Sequence, residues 1–249
     1  MSMSTPRTII HSESPLHKAI RENDINLFND LIFKGNNSMQ DSNGDNVVHV
    51  AAKEGRLEML KVLAKTADLN ALNRAGEPLL EIAFRSQNAD MVRFLIMQPN
   101  IDINIKFKDG STLLHNIVKS ADELNLLEDS LNNGAKIVTQ DRRGNTPLHY
   151  AINLAYKNPE LRLQFTEIAL TLIERSKDPS VFTQPNLLRN TCLAIALKTG
   201  NKAVLDSMAK KLGLAEVIDT AQKIIKTTSS SSFKELPQHS SDKKPQVVR

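Results

Sequence analysis

The chain carries one cysteine, Cys192, so it closes no disulfide within itself and cannot build a cysteine-rich zinc site. Such sparing use of cysteine fits a reducing compartment. Tryptophan is absent and aromatic residues supply only 4% of the 249 positions, which leaves Leu, Ile, Val and Ala to build the core. An aliphatic core of that kind suits helices packed side by side better than a β-sandwich. No run approaches the ~18 consecutive apolar residues of a membrane-spanning helix. Residues 1–10 lack the apolar stretch of a secretory signal peptide. The expectation is a soluble, cytoplasmic, monomeric chain without membrane insertion. Charge of neither sign dominates: 32 Lys and Arg against 28 Asp and Glu leave +4, too small an excess to argue for nucleic acid. Phosphate-binding loop, zinc-protease helix, dinucleotide fingerprint and nucleophile elbow are all missing, so neither a cofactor nor a catalytic residue is expected.

What is present is a repeat. Short segments of one shape recur: Ser14-Pro15-Leu16-His17, Asn46-Val47-Val48-His49, Pro78-Leu79-Leu80-Glu81, Thr112-Leu113-Leu114-His115 and Thr146-Pro147-Leu148-His149, with a degenerate sixth, Thr191-Cys192-Leu193-Ala194. Their fourth positions are separated by 32, 32, 34, 34 and 45 residues. Gly44, Gly76, Gly110 and Gly144 each lie five residues before the fourth position, where a tight turn demands positive φ. A leading Ser or Thr suits a helix N-cap, and Pro suits the first helical position. Behind each motif a second helix shows apolar spacing of three to four: Ile25, Phe28, Leu31 and Ile32; then Leu57, Leu60 and Leu63; then Val92, Leu95 and Ile96. Leu124, Leu127 and Leu131 fit the fourth repeat after a one-residue shift, and Gly35 and Gly134 follow second helices as C-terminal caps.

These segments resemble the ankyrin signature Thr-Pro-Leu-His-x-Ala over residues 12–213. The resemblance implies an all-α ankyrin-repeat solenoid of about six helix–turn–helix repeats, near 12–40, 41–72, 73–106, 107–139, 140–185 and 186–213. Glu81 and Ala194 depart from it by replacing the usual histidine. The 45-residue step puts an insertion of about a dozen residues over the usual period into the fifth repeat. Its helices run long, with a break near Asn158 and Pro159 and an extended connection over 178–190.

A solenoid needs covered ends. The polar first helix of repeat one, with Lys18, Arg21 and Glu22, suits an N-terminal cap after a flexible segment 1–11. Leu214, Val217, Ile218, Ala221, Ile224 and Ile225 make a stripe over 214–226, read as a capping helix or, alternatively, as an amphipathic helix for a membrane or partner. Residues 227–249 carry a Thr/Ser run and then Lys, Asp and Pro, a composition too poor in apolar surface to fold.

His17, His49, His115 and His149 share one place in successive repeats, and the resemblance implies an imidazole bonded to backbone near the turns. Adjacent helices pack on the order of 10 Å apart, too far for such residues to share a zinc ion at ~2 Å. His11 and His239 have no partner pattern. Cys192 takes the proline slot at a helix start and reads as a packed thiol, although a helix start lowers a thiol pKa where water reaches it.

The family binds other proteins through turn tips and the exposed face of the first helix. Two residues before the motif glycine stand Ser42, Arg74, Lys108 and Arg142, with Arg143 beside them. Four residues after the motif lie Arg21, Lys53, Arg85, Lys119, Asn153 and Lys198. Stacking makes two basic columns suited to an acidic segment of another protein, partly offset by Asp45, Glu54, Glu77 and Asp109. Exposure alone would also produce the first-helix column. Tyr150, Leu154 and Tyr156 are either an apolar anchor beside it or core. The expected role is a non-catalytic protein-interaction module. A narrower version is an effector of an intracellular bacterium that reaches host cytoplasm without a signal peptide, since such ankyrin proteins share divergent repeats, a Lys/Asn/Ile-leaning composition and a polar tail. A cytosolic or nuclear adaptor and an enzyme site in the repeat-five insertion remain open alternatives.

Overall fold

The computed structural model describes residues 14–32, 40–120 and 124–214; the segments 1–11, 227–249 and nearly all of 214–226, together with Gly35, lie outside them. Twelve α-helices form six antiparallel pairs among the described residues: α1 (Pro15–Glu22) with α2 (Ile25–Ile32), α3 (Val47–Lys53) with α4 (Leu57–Leu63), α5 (Leu79–Arg85) with α6 (Ala89–Ile96), α7 (Leu113–Ser120) with α8 (Leu124–Asn132), α9 (Pro147–Lys157) with α10 (Arg162–Arg175), and α11 (Cys192–Thr199) with α12 (Lys202–Leu212). First helices pack on first helices from α1 to α11, and second helices form an outer row behind them. A layer of Leu, Ile, Val and Ala runs continuously between the rows. Burial follows the apolar spacing with one correction: Phe28 and Ile32 are buried, but Ile25, at the start of α2, is 59% exposed.

Helix starts are set by side chains. The Asn46, Thr146 and Thr191 oxygens each accept a backbone N–H of the first turn. Pro15 and Pro147 hold the first helical position. Ser14 makes no such cap, and Pro78 cannot.

Each tip is one five-residue turn repeated. At the second repeat the Asp41 N–H donates to the Asp45 carbonyl and the Gly44 N–H to the Asp41 carbonyl, while Asp41 Oδ1 accepts from Asn43 and Asp45. Asn73, Asp141 and Asn186 serve their turns the same way. The fourth residue of the turn must sit at positive φ, and glycine fills it four times at 75–78°. In the last turn Arg189 occupies that slot at φ 59°. An L-residue there costs about 1 kcal/mol over glycine. Arg189→Gly is therefore expected to raise stability by about that amount in urea unfolding, an effect that Arg189→Ala will not reproduce.

Histidines knit one repeat to the next. The His17, His115 and His149 Nε2 atoms lie 3.0–3.1 Å from the carbonyls of Asp45, Asn145 and Asn190, each the last residue of the next turn, and His49 Nε2 lies 3.0 Å from the carbonyl of Ala71, just ahead of the turn of the third repeat. Nδ1 of His49, His115 and His149 accepts the backbone N–H of Asn46, Thr112 and Thr146 at 3.1–3.2 Å. That pairing fixes the neutral tautomer with the proton on Nε2.

The fifth repeat is the long one. The chain leaves α9 at Lys157, turns through Asn158 to Leu161, and re-enters α10 for fourteen residues. Its connection to α11 contains a 3₁₀ turn, Pro179–Phe182, that buries Val181 and Phe182 completely against α11 and α12.

Candidate functional site

The two basic columns differ in how their charges are spent. On the first helices, Lys53 pairs with Asp45, Arg85 Nη1 lies 2.7 Å from Glu77 Oε1, and Lys119 Nζ lies 3.7 Å from Asp109. Arg21 reaches forward to Asp41 of the next turn at 2.6 Å. In repeats two and three the last turn residue, Asp45 or Glu77, faces a cation eight residues on in the first helix. The Arg85 guanidinium and the Asn73 amide bring the Glu77 carboxyl down to about 2. Burial opposes ionisation of Asp109, but hydrogen bonds from Ser111 and the charge of Lys119 prevail and lower its pKa. Asp41 is likewise lowered: burial works against it, and the Asp45 N–H and Arg21 outweigh burial.

At the tips the picture is different. Arg74 lies along the stack and donates to the Ser42 carbonyl at 2.9 Å. Lys108, Arg142 and Arg143 are exposed, and among the described residues none of the three has a carboxylate within ion-pair distance. A cleft of about 380 Å³ lies between the fourth and fifth tips, walled by Asp109, Lys119, Asp141, Arg142, Arg143 and Tyr150.

Tyr150 organises that cleft. Its hydroxyl donates to Asp141 Oδ2 at 2.6 Å, Lys119 Nζ stands 4.6 Å from its ring centroid, and the ring meets the edge of His115. Burial and the Asp141 carboxylate push the phenol up to about 12, so it stays a donor. Tyr150 and Leu154 pack partly against the core, whereas Tyr156 is 62% exposed at the far end of α9 and does not join them. Periodicity missed the next tip, where Leu187 and Leu188 are 75% and 79% exposed. The Leu187 N–H donates to the Arg143 carbonyl, which makes the leucines continuous with the cationic edge. Counting five residues back from Ala194 would have identified this turn.

The thiol of Cys192 is fully buried, 3.2 Å from His149 Nδ1 and 3.8 Å from Thr146 Oγ1. Burial pushes it up to about 12, with the Thr146 contact only partly opposing. It is a packed thiol, and the thiolate that a solvated helix start favours does not form here. Beside the repeat-five insertion, Lys211 Nζ is held by the carbonyls of Glu174 and Ser176.

Comparison with known proteins bears on the fold. Residues 16–107 match the sequence family described as ankyrin repeats (3 copies). Poly [ADP-ribose] polymerase tankyrase of Caenorhabditis elegans is 30% identical over 208 residues, 72% of this chain and 9% of that protein. Human neurogenic locus notch homolog protein 1 is 28% identical over 128 residues, 50% of this chain and 5% of that protein. The chain thus spans under a tenth of the length of these relatives. An ankyrin repeat domain from Acinetobacter baumannii superimposes with TM-score 0.66 at 19% identity, covering 78% of this chain and 95% of that one. A chain in the complex of a predatory endopeptidase from Bdellovibrio bacteriovorus with an immunity protein gives TM-score 0.59 at 23% identity, covering 80% and 99%. With the family match over residues 16–107, the shared fold and six stacked helix pairs in agreement, the chain is an ankyrin-repeat solenoid.

Proposed function

We propose that the chain binds another protein along the tip edge of repeats four to six and recognises an acidic segment there. One observation carries this reading: Lys108, Arg142 and Arg143 are exposed and lack ion-pair partners among the described residues, while Lys53, Arg85 and Lys119 are engaged by their own repeats. Engaged cations gain little from a new carboxylate, whereas exposed tip arginines offer bidentate donors at small desolvation cost. Tyr150 and the Leu187–Leu188 tip supply apolar area beside that charge. Binding is non-catalytic. Ankyrin repeats are interaction modules, and the Cys192 thiol is buried away from solvent.

The test is affinity capture with the intact chain and with Lys108→Glu, Arg142→Glu and Arg143→Glu combined. A partner held through this edge is expected to be captured at least ~10-fold less well by the triple variant and less well at high salt. Reversing Lys202 and Lys210, exposed on α12, provides the control and leaves capture intact. Equal capture by the triple variant would remove the tip edge as the docking surface.

A further inference from the structure

The stack is not equally tight at every joint. A Cβ at Gly44 would stand 2.5 Å from Arg74 Cβ, one at Gly110 2.6 Å from Arg142 Cγ, and one at Gly144 2.9 Å from the Leu187 nitrogen. Successive tips therefore press on one another at those joints. At Gly76, facing the fourth repeat, no heavy atom lies within 4 Å of the same position.

The cause is visible one helix turn away. Every other joint from repeat one to repeat six carries a histidine bonded to a carbonyl of the next turn or, for His49, of the residue two positions ahead of it. Here the residue is Glu81, whose carboxylate cannot donate to a carbonyl. Glu81 Oε2 accepts the Lys108 N–H at 3.1 Å instead. Between repeats three and four a groove of about 610 Å³ opens, with Phe84, Val92, Phe107 and Leu126 among its lining residues and Glu81 and Asp109 beside them.

The charges in that groove are unequally matched. Arg85, which also lines the groove, is committed to Glu77, and Asp109 has Lys119. Glu81 is half-buried and has no cation within ion-pair distance among the described residues. Its pKa is raised, first by burial and further by the Glu77 and Asp109 charges; the Lys108 N–H and the charge of Arg85, one turn along the same helix, oppose the rise without cancelling it. A carboxylate desolvated by apolar walls is relieved by an opposite charge on an apolar stem. Aromatic walls select the flat, weakly hydrated guanidinium over a compact ammonium, because it stacks on a ring while pairing with a carboxylate.

We infer that the groove between the third and fourth repeats is a socket for an arginine side chain of a partner segment, with the Glu81 carboxylate as its counter-ion. The aliphatic stem lies along Phe84 and Phe107, and the guanidinium reaches Glu81. The socket rests on the reading of the chain as an interaction module but not on the cationic tips. A partner that uses both places an acidic stretch on repeats four to six and an arginine toward repeat three.

The test uses the purified chain with blocked arginine (N-acetyl-arginine amide) against blocked citrulline, which has the same shape and no charge. Backbone amide shifts are followed by NMR. Arginine is expected to saturate shifts at the groove amides of Phe84, Phe107 and Asn116 with Kd on the order of 1 mM. Citrulline, and arginine on Glu81→Gln, are each expected to bind at least ~10-fold more weakly. Ala89→Phe, which fills the groove wall and keeps the carboxylate, is expected to abolish the shifts. Equal binding of citrulline, unchanged binding by Glu81→Gln, or no saturable groove shift below ~10 mM would overturn the socket. None of these outcomes affects capture through Lys108, Arg142 and Arg143, so the two readings fail separately.

Discussion

Gly44→Ala is expected to cost about 3 kcal/mol of folding free energy, and the identical change at Gly76 only about 1. The two positions share nearly the same backbone, φ 75° and 77°, so both variants pay the same left-handed penalty of about 1 kcal/mol. What differs is the neighbour. At Gly44 a methyl group meets Arg74 Cβ at 2.5 Å and its backbone nitrogen at 2.7 Å, and neither atom moves without shifting the third tip as a whole. Forcing one extra methyl group into packed structure costs a further 1–3 kcal/mol or so. At Gly76 the added methyl group meets open space. Urea unfolding of the two variants beside the parent measures the difference. Equal losses would mean that tip-to-tip contact contributes nothing to the stack.

Much of this architecture was legible because it answers local backbone demands. A positive-φ turn asks for glycine, a helix start asks for Thr, Asn or Pro, and an interior position asks for an aliphatic side chain; each request recurs once per repeat. The histidine ladder was legible for the same reason, since its Nδ1 bond is to a residue three positions away. The sixth turn was hidden because Arg189 adopts the glycine conformation without being glycine. Ile25 misled because periodicity identifies a face without showing what stands opposite it, and this residue faces solvent.

The candidate surface was only half legible. Spacing placed Lys53, Arg85 and Lys119 in a column with Arg74, Lys108, Arg142 and Arg143 beside it. Only the fold of the turn shows that Asp45 and Glu77 close back on the first-helix cations eight residues later. Glu81 was visible as a departure from the motif. Its consequence was not, because the width of a joint depends on which group the next repeat offers and whether it donates or accepts. A substitution that reads as a weak repeat in sequence is, in the fold, an opening with its own chemistry.

Acidification should loosen the same ladder from within. Burial holds His49, His115 and His149 below the ordinary imidazole pKa, and the carbonyl bonded by each Nε2 offsets this only in part. The unfolded chain protonates these rings near their ordinary value of about 6.5, and the folded chain does so at lower pH. The unfolded state therefore binds more protons throughout the window below about 6.5. Their contribution to stability is complete above that value and is lost as pH falls through the window toward the folded pKa values. Each ring contributes at most about 1.4 kcal/mol per pH unit. The structural reason is specific: a second proton on Nδ1 would face the buried N–H of Asn46, Thr112 or Thr146, setting donor against donor. Protonation therefore breaks the N-cap bond and disturbs the inter-repeat contact together. Carboxylates with lowered pKa, such as Glu77 at about 2, lose their contribution only in stronger acid and do not confuse the window. Urea midpoints between pH 7.5 and 5 should fall steeply, and His115→Gln should be less stable at pH 7.5 yet show a shallower slope. A parent whose stability is flat across this range would mean that the ladder does not depend on neutral histidines.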